Sequence, residues 1–167
     1  MIIVYCGDGK GKTSASVGQA IRALGQGMRV IFAQFMKRSG QAGEQKILQN
    51  LLQEDFFAGG AGFFRKEETR DDHRNAALDV LAWVRDKIVS ADVAVLDESL
   101  YALGSGLLEE DELREILRIA DDSQTHVVLS GRGLPEWLRE RADIVTEMTL
   151  VKHAYTSGVK AQRGIEF

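Results

Sequence analysis

A lysine and a threonine stand side by side near the start of the chain, at the end of a stretch rich in glycine. In such a setting we expect the Lys12 ammonium to contact the outer phosphates of a nucleotide and the Thr13 hydroxyl to bind Mg²⁺. The glycines let backbone N–H groups turn inward around phosphate without steric clashes. The predicted phosphate-binding loop, or P-loop, comprises Gly7, Asp8, Gly9, Lys10, Gly11, Lys12, Thr13 and Ser14.

The context of this loop favours nucleotide binding over a solvent-exposed turn of lysines and glycines. The apolar residues 2–6 directly precede it and predict a buried strand, and residues 14–24 predict a helix. The free N–H groups and the dipole at a helix N-terminus also favour negative charge. The loop departs from the usual pattern G-x-x-x-x-G-K-[ST] at Cys6, which stands where that pattern has its first glycine.

Two adjacent acids, Asp97 and Glu98, end the buried strand that we predict for residues 91–98. In P-loop proteins an acid at such a strand end holds the magnesium ion or its water. The alternative is that Asp97 caps the N-terminus of a following helix, which is a common role for aspartate. Beside a P-loop the metal-binding role is favoured, and the sequence leaves open which of the two acids performs it.

Basic residues follow two other predicted strands. Lys37 and Arg38 come after residues 28–35, and Arg132 comes after residues 126–130. In open α/β sheets ligands bind at the carboxyl ends of the strands, so we expect these three side chains, and that of Gln34 near the end of the first of these strands, on the nucleotide side. Solvated loop positions are the alternative.

Residues 56–64 combine phenylalanines with glycines at a density that does not fit regular structure. One interpretation is a short strand and a loop whose aromatic rings pack back on the core. The other is a mobile apolar flap over a large flat ligand, because aromatic side chains commonly line the pockets that bury such ligands.

The apolar pattern predicts the elements that must position these residues. Short apolar runs alternate with amphipathic helical segments, which is typical of an α/β fold with a mostly parallel sheet and helices on both faces. We predict five or six strands in one domain over residues 1–167. The main predicted strands comprise residues 2–6, 28–35, 91–98, 126–130 and 144–151, and the predicted helices comprise residues 14–24, 44–53, 70–89, 109–120 and 135–142.

Composition disfavours several classes of protein. The net charge of −4 argues against a nucleic-acid or anionic-membrane partner, and no apolar run approaches the roughly 20 residues of a membrane span. The single cysteine precludes an internal disulfide, and the three scattered histidines offer no structural zinc spacing. The N-terminus lacks the features of a signal peptide, so we expect a cytoplasmic protein.

These residues by themselves specify a magnesium–nucleotide-binding domain and leave its reaction open. A kinase or an ATPase would use the same loop to transfer the γ-phosphoryl group of ATP. A regulatory module would bind the nucleotide without turnover.

Several stretches are similar to those of one enzyme family. They comprise residues 7–14, 34–37 (Gln-Phe-Met-Lys), 96–98, 130–133, 142–153 and 158–167. These stretches resemble the ATP:corrinoid adenosyltransferases of the cobalamin-biosynthesis type, whose P-loop also lacks the first glycine. The resemblance implies a RecA-like P-loop fold and transfer of the 5′-deoxyadenosyl group of ATP to a cob(I)alamin-type corrinoid, with release of triphosphate.

The resemblance also implies roles for individual residues. Cobalt(I) is itself the nucleophile, so the protein has to align the substrates and stabilise the charge that grows on the triphosphate. The expected contributors are Lys10, Lys12 and the loop N–H groups for the phosphates, Thr13 with Glu98 or Asp97 for Mg²⁺, and Arg132 and Lys152 as auxiliary cations.

The residues that we expect to contact the corrinoid differ from the family pattern. The family has Gly-Phe-Thr-Trp, whose aromatic residues displace the lower ligand of the corrinoid, whereas this chain has Gly62, Phe63, Phe64 and Arg65. Phe63 matches the pattern, and we expect Phe64 to substitute for the tryptophan. The family further implies a homodimer and an electron-donating reductase. Because this chain begins at its first strand, without the preceding segment of many relatives, we expect an open site or one closed by a partner subunit.

Overall fold

One parallel sheet organises the molecule. In a computed structural model, which describes residues 1–62, 64 and 67–166, six strands form this sheet in the order β3-β2-β4-β5-β1-β6. The arrangement confirms the predicted α/β fold class, although the last strand ends earlier than the sequence predicts. The strands are β1 (Ile2–Cys6), β2 (Val30–Gln34), β3 (Phe56–Ala58), β4 (Val93–Asp97), β5 (His126–Ser130) and β6 (Ile144–Glu147).

The connections between the strands contain the helices. The five predicted helices are all present within the described residues, and a sixth, α4, directly follows β4 and was not predicted. None of the described helices is both long enough and apolar enough to cross a bilayer. The α-helices are α1 (Lys12–Leu24), α2 (Gly43–Leu52), α3 (Arg70–Ile88), α4 (Ser99–Gly104), α5 (Glu110–Asp122) and α6 (Glu136–Arg141).

Helices cover both faces of the sheet because successive strand residues point to opposite sides. In β1, Ile2 and Val4 pack with the buried residues of α3, α5 and α6, whereas Ile3 packs with those of α1 and α2. The strands β2, β4 and β5 are almost continuously apolar because both of their faces are buried. The predicted two-faced layer architecture is therefore confirmed.

The order of the strands brings four polar segments to one edge. The carboxyl ends of β1, β2, β4 and β5 lie next to one another, and the register pairs Gln34 with Asp97 and Tyr5 with Ser130. The loop that leads from Cys6 into α1 leaves the sheet at the same edge. Residues that are far apart in sequence therefore meet above the middle of the sheet.

Candidate functional site

The P-loop joins β1 to α1 and is packed tightly against the segment that follows β6. Gly7 and Gly11 have positive φ angles of 97° and 120°, which glycine adopts without strain. A Cβ at Gly7 or at Gly9 would lie 2.5 or 2.6 Å from the carbonyl oxygen of Met148. The Gly9 N–H also donates a 2.7 Å hydrogen bond to that oxygen. Close approach of two backbones therefore requires these glycines, in addition to any contact with phosphate.

Lys12 begins α1 and points back across the loop. Its ammonium donates hydrogen bonds of 2.8 Å to the carbonyl oxygens of Gly7 and Gly9. The residue is 8% exposed, and burial lowers the pKa of the amine against the opposing effect of Glu98. The loop thus holds a partly desolvated cation at the position where the sequence predicts contact with the phosphates.

Asp97, at the end of β4, is the most completely buried acid of the site, with 0% exposure. Its carboxylate accepts hydrogen bonds from the Thr13 hydroxyl at 3.0 Å, from the Ser130 hydroxyl at 2.7 Å and from the Gln34 amide at 3.0 Å. These donors come from α1, β5 and β2. Their convergence fixes the carboxylate beside the Thr13 hydroxyl.

Glu98 has a different environment, although it directly follows Asp97. It adopts a left-handed conformation with φ of 62°, and its N–H donates to the Ser130 hydroxyl at 3.0 Å. Among the described residues, its carboxylate forms no hydrogen bond or ion pair. Burial, and then the neighbouring charge of Asp97, raise the pKa of this carboxyl. Glu98 therefore directly precedes α4, and its carboxyl group lines the cleft without an ion-pair partner among the described residues.

Lys37 and Glu44 add an ion pair to the same edge. Lys37 follows β2, Glu44 lies in the first turn of α2, and their Nζ and Oε1 atoms are 2.7 Å apart. The Lys37 ammonium also lies 3.2 Å from the Thr13 hydroxyl and 3.4 Å from the Asp97 carboxylate. Burial acts to lower the pKa of Lys37, but the nearby carboxylates outweigh burial and raise it. Its ammonium is therefore charged.

A cleft of about 1010 Å³ opens above these residues. This volume lies at the upper end of the range of about 300–1,000 Å³ for small-molecule sites. One wall is formed by the P-loop and the ends of β2 and β4, and the opposite wall by the C-terminal segment. Lining residues of that segment are Leu150, His153, Tyr155, Thr156, Gly164, Ile165 and Glu166.

The mouth of the cleft carries exposed charges. Arg132 approaches Asp8, with 3.6 Å between Nε and Oδ1, and both side chains are more than half exposed. The Lys10 ammonium donates a 2.6 Å hydrogen bond to the carbonyl oxygen of Ile165. Lys10 thereby connects the P-loop to the C-terminal segment across the opening.

One described aromatic side chain, Phe64, lines the cleft from the predicted flap. The Arg70 guanidinium lies 5.0 Å from the centre of its ring, and the His73 ring lies edge-on at 5.5 Å. The backbone oxygen of Phe64 accepts a hydrogen bond from the Tyr101 hydroxyl at 3.3 Å. Phe64 is thus held by neighbours on α3 and α4 rather than extended into solvent.

Comparison with known proteins identifies the family. Residues 1–167 match the family described as ATP:corrinoid adenosyltransferase BtuR/CobO/CobP. The chain belongs to this family. Membership confirms the prediction of a corrinoid adenosyltransferase that uses ATP, rather than the kinase or ATPase alternative.

Individual relatives agree with this assignment. The chain is 40% identical to the corrinoid adenosyltransferase of Pseudomonas aeruginosa, over 100% of this chain and 83% of the relative. It is 36% identical to the corrinoid adenosyltransferase of Escherichia coli strain K12, over 100% of this chain and 85% of the relative. In fold alone, it is similar to the flagellar accessory protein FlaH of Methanocaldococcus jannaschii, with a TM-score of 0.54, 16% identity and coverage of 87% of this chain and 69% of FlaH.

The structure of the adenosyltransferase brings most of the predicted site residues together. Glu98, Arg132, Phe64 and residues 8–14 line the cleft, while Gly7 and Asp97 support it from below. Lys152 is exposed and does not line the cleft. Phe63 lies outside the described residues.

Sequence reasoning placed Gln34 on the nucleotide side but missed the polar residues of α2. Glu44 was expected only to belong to a helix, yet it binds the Lys37 ammonium. The Gln45 amide donates a 2.7 Å hydrogen bond to the side-chain oxygen of Gln34, which orients the Gln34 NH₂ group toward Asp97. The available signal was position, because α2 starts shortly after the carboxyl end of β2, on the ligand side of the sheet.

Proposed function

We propose that this adenosyltransferase binds ATP with its triphosphate on the P-loop and transfers the 5′-deoxyadenosyl group to cobalt(I) of a reduced corrinoid. Cobalt(I) supplies the electron pair of the new cobalt–carbon bond and becomes formally cobalt(III). The bond between the 5′ carbon and the triphosphate oxygen breaks, and triphosphate leaves with the electron pair of this broken bond. The main observation in support is that Lys12, Thr13 and Asp97 meet at the base of a cleft, which is wide enough to hold more than the triphosphate chain of ATP.

The main task of the protein in this reaction is to stabilise negative charge on the leaving triphosphate. The Lys12 ammonium can exchange its loop carbonyl partners for phosphate oxygens, because Lys12 itself lines the cleft. Lys10 and Arg132, at the mouth, supply further positive charge. Holding both substrates in one cleft would lower the entropic cost of their encounter.

Magnesium fits the donors that surround Thr13. The Thr13 hydroxyl contacts the Asp97 carboxylate, and the carboxyl groups of Glu44 and Glu98 line the same cleft. These are hard oxygen donors of the kind that Mg²⁺ prefers, although no three acids among the described residues form a metal-binding group by themselves. A cationic ammonium already lies among them, which supports a site suited to positive charge. When bound, Mg²⁺ would neutralise charge on the triphosphate. We assign the metal-facing roles to Thr13, Asp97 and Glu98.

The corrinoid would enter the cleft from the side of Phe64. This ring lines the cleft and is held by Arg70 and His73, so it can press against a flat macrocycle without a large loss of conformational freedom. Together with Phe63, it would replace the Phe/Trp pair of the family pattern.

The wider setting of the enzyme follows the family expectation. We propose a cytoplasmic homodimer whose chain forms a single domain over residues 1–167, with a reductase as electron donor and no nucleic-acid partner.

Product analysis tests the proposal. Purified protein is incubated anaerobically with MgATP and chemically reduced corrinoid, and the products are separated by chromatography while the cobalt(I) absorbance is followed. We expect triphosphate and an alkylated corrinoid in equal amounts, with cobalt(I) lost only when ATP is present. Formation of ADP and phosphate without a cobalt–carbon bond would overturn the proposal.

A further inference from the structure

The Lys37 ammonium lies among the oxygen atoms that the proposed magnesium site would use. Its distances are 2.7 Å to Glu44 Oε1, 3.2 Å to Thr13 Oγ1 and 3.4 Å to Asp97 Oδ2. The three oxygens come from α2, α1 and β4, which approach one another only in the folded protein. One hydroxyl and two carboxylates around a single cation make a small cation site that the chain fills with its own side chain.

Burial makes this arrangement specific rather than incidental. The side chains of Lys37, Glu44 and Asp97 are 17%, 23% and 0% exposed, so bulk water solvates this group of charges only in part. An unpaired buried carboxylate is costly, and two of them side by side would repel each other. Lys46, on the same helix as Glu44, is exposed and forms no side-chain hydrogen bond or ion pair within the part of the chain that the structure describes.

The charges around Lys37 are not balanced by Lys37 alone. Asp97, Glu44 and Glu98 contribute three carboxyl groups, whereas the nearby Lys12 ammonium is directed to the carbonyl oxygens of the P-loop. The site therefore keeps a residual affinity for positive charge while its central position is taken by the Lys37 ammonium.

We infer that Lys37 is the resident counter-cation of the proposed magnesium site. Its ammonium holds Thr13, Asp97 and Glu44 together in the nucleotide-free protein and disfavours the binding of free divalent cations. The long flexible stem of lysine lets the ammonium withdraw when the negative charge of the triphosphate arrives. The consequence is ordered binding, in which metal enters with the nucleotide and not before it. This inference rests on the proposed function, because it assumes that Thr13 and Asp97 face the metal.

Manganese titration of the nucleotide-free protein tests the inference. Free Mn²⁺ is measured by its electron paramagnetic resonance signal in the presence of wild type, Lys37→Met and the matched control Lys46→Met. We expect Lys37→Met to bind Mn²⁺ more than about tenfold more tightly than wild type, because a like charge a few ångströms away is removed. Lys46→Met should bind as wild type does, since its ammonium is solvated.

The competing explanation is that Lys37 contacts phosphate. In that case Lys37→Met would show wild-type or weaker Mn²⁺ binding without nucleotide, together with weaker ATP binding in EDTA, and our inference would be overturned. A second variant, Lys37→Gln, keeps a polar side chain. Thermal melting shows which of the two variants retains the wild-type fold, and that variant is used for the titration.

One further measurement, Mn²⁺ binding in the presence of ATP, distinguishes a failure of this inference from a failure of the proposed function. Wild type should bind Mn²⁺ tightly once ATP is added. If Mn²⁺ does not bind in the presence of ATP, the proposed metal site itself is wrong. If it does bind, and Lys37→Met equals wild type without ATP, only the role of Lys37 is wrong.

Discussion

Each edge of the sheet carries an aspartate that contacts a lysine, but the two clusters are built differently. At the amino edge, Asp55 precedes β3 and accepts hydrogen bonds from the Arg29 guanidinium at 3.0 Å and from Lys87 at 3.1 Å. At the carboxyl edge, Asp97 ends β4 and accepts from neutral hydroxyl and amide donors, with Lys37 more distant at 3.4 Å.

The difference lies in how charge is matched. Asp55 has two cations for one carboxylate, so its cluster is complete and connects the starts of β2 and β3 to the end of α3. The Asp97 cluster has an excess of carboxylates and an open cleft above it. A closed set of ion pairs stabilises a fold, whereas an unmatched set beside a cavity is ready for a charged ligand. Substitutions of Lys12 at the carboxyl edge and of Asp55 at the amino edge should therefore separate turnover from stability.

The largest effect is expected for Lys12→Ala, at the carboxyl edge. Loss of the ammonium removes direct stabilisation of the leaving triphosphate, so turnover should fall by about 10²–10³-fold. Water from the cleft can replace the amine at the loop carbonyls, so the free energy of unfolding should change by less than about 1 kcal/mol. Triphosphate release and thermal melting measure the two quantities. A strong drop in stability would make Lys12 a structural residue.

A comparison of Asp97→Asn with Glu98→Gln divides the roles of the two adjacent acids. The introduced amide NH₂ would face donors from Thr13, Ser130 and Gln34, so Asp97→Asn should destabilise the protein by about 2–3 kcal/mol in addition to lowering turnover. Burial disfavours the charge of Glu98, so Glu98→Gln should keep or raise the melting temperature while turnover falls about tenfold.

Chemical denaturation and turnover assays of both variants check this division. Equal destabilisation by the two substitutions would show that Glu98 is a structural acid like Asp97. Wild-type turnover of Glu98→Gln would leave Asp97 as the acid that acts on the metal.

The site residues that could be predicted are those marked by a short stretch of neighbouring sequence. Lys12, Thr13 and Asp97 could be identified because a short motif and the end of an apolar run carry their chemistry. The role of Glu44 could not, because its contact with Lys37 depends on how α2 returns over the sheet. The glycines at 7 and 9 illustrate the same limit, since the backbone that they approach belongs to Met148. Helix α4 was missed because it begins directly after Glu98, whose left-handed conformation has no signal in the sequence.

At the amino edge, Asp55→Asn should affect stability alone. The hydrogen bond from Arg29 is the main cause that lowers the pKa of Asp55 in the folded protein. A lowered pKa contributes stability above the unfolded value of about 3.9, and that contribution disappears as the pH falls through the folded value. Asp55→Asn should therefore cost about 1 kcal/mol at neutral pH and nothing at strongly acidic pH.

Urea denaturation of wild type and Asp55→Asn between neutral and acidic pH measures this convergence, and turnover at neutral pH should be the same for both. A difference in stability that stays constant across the pH range would mean that the Asp55 charge is not the source of the effect. A loss of turnover at constant stability would contradict the separation of the two edges.

The smallest effect is expected for Lys10→Ala, where the P-loop meets the C-terminal segment. The Lys10 side chain is 44% exposed and lies 4.0 Å from Glu166, so its charge is screened and its removal should raise the KM for ATP by only about two- to fivefold. Arg163→Ala is the matched control, because Arg163 is an exposed cation of the C-terminal segment and does not line the cleft. Steady-state kinetics at two salt concentrations should show the Lys10 effect shrinking at high salt. An increase in the KM for ATP of more than about a hundredfold would instead make Lys10 a direct phosphate ligand like Lys12. The charged part of the carboxyl edge would then extend to the mouth of the cleft.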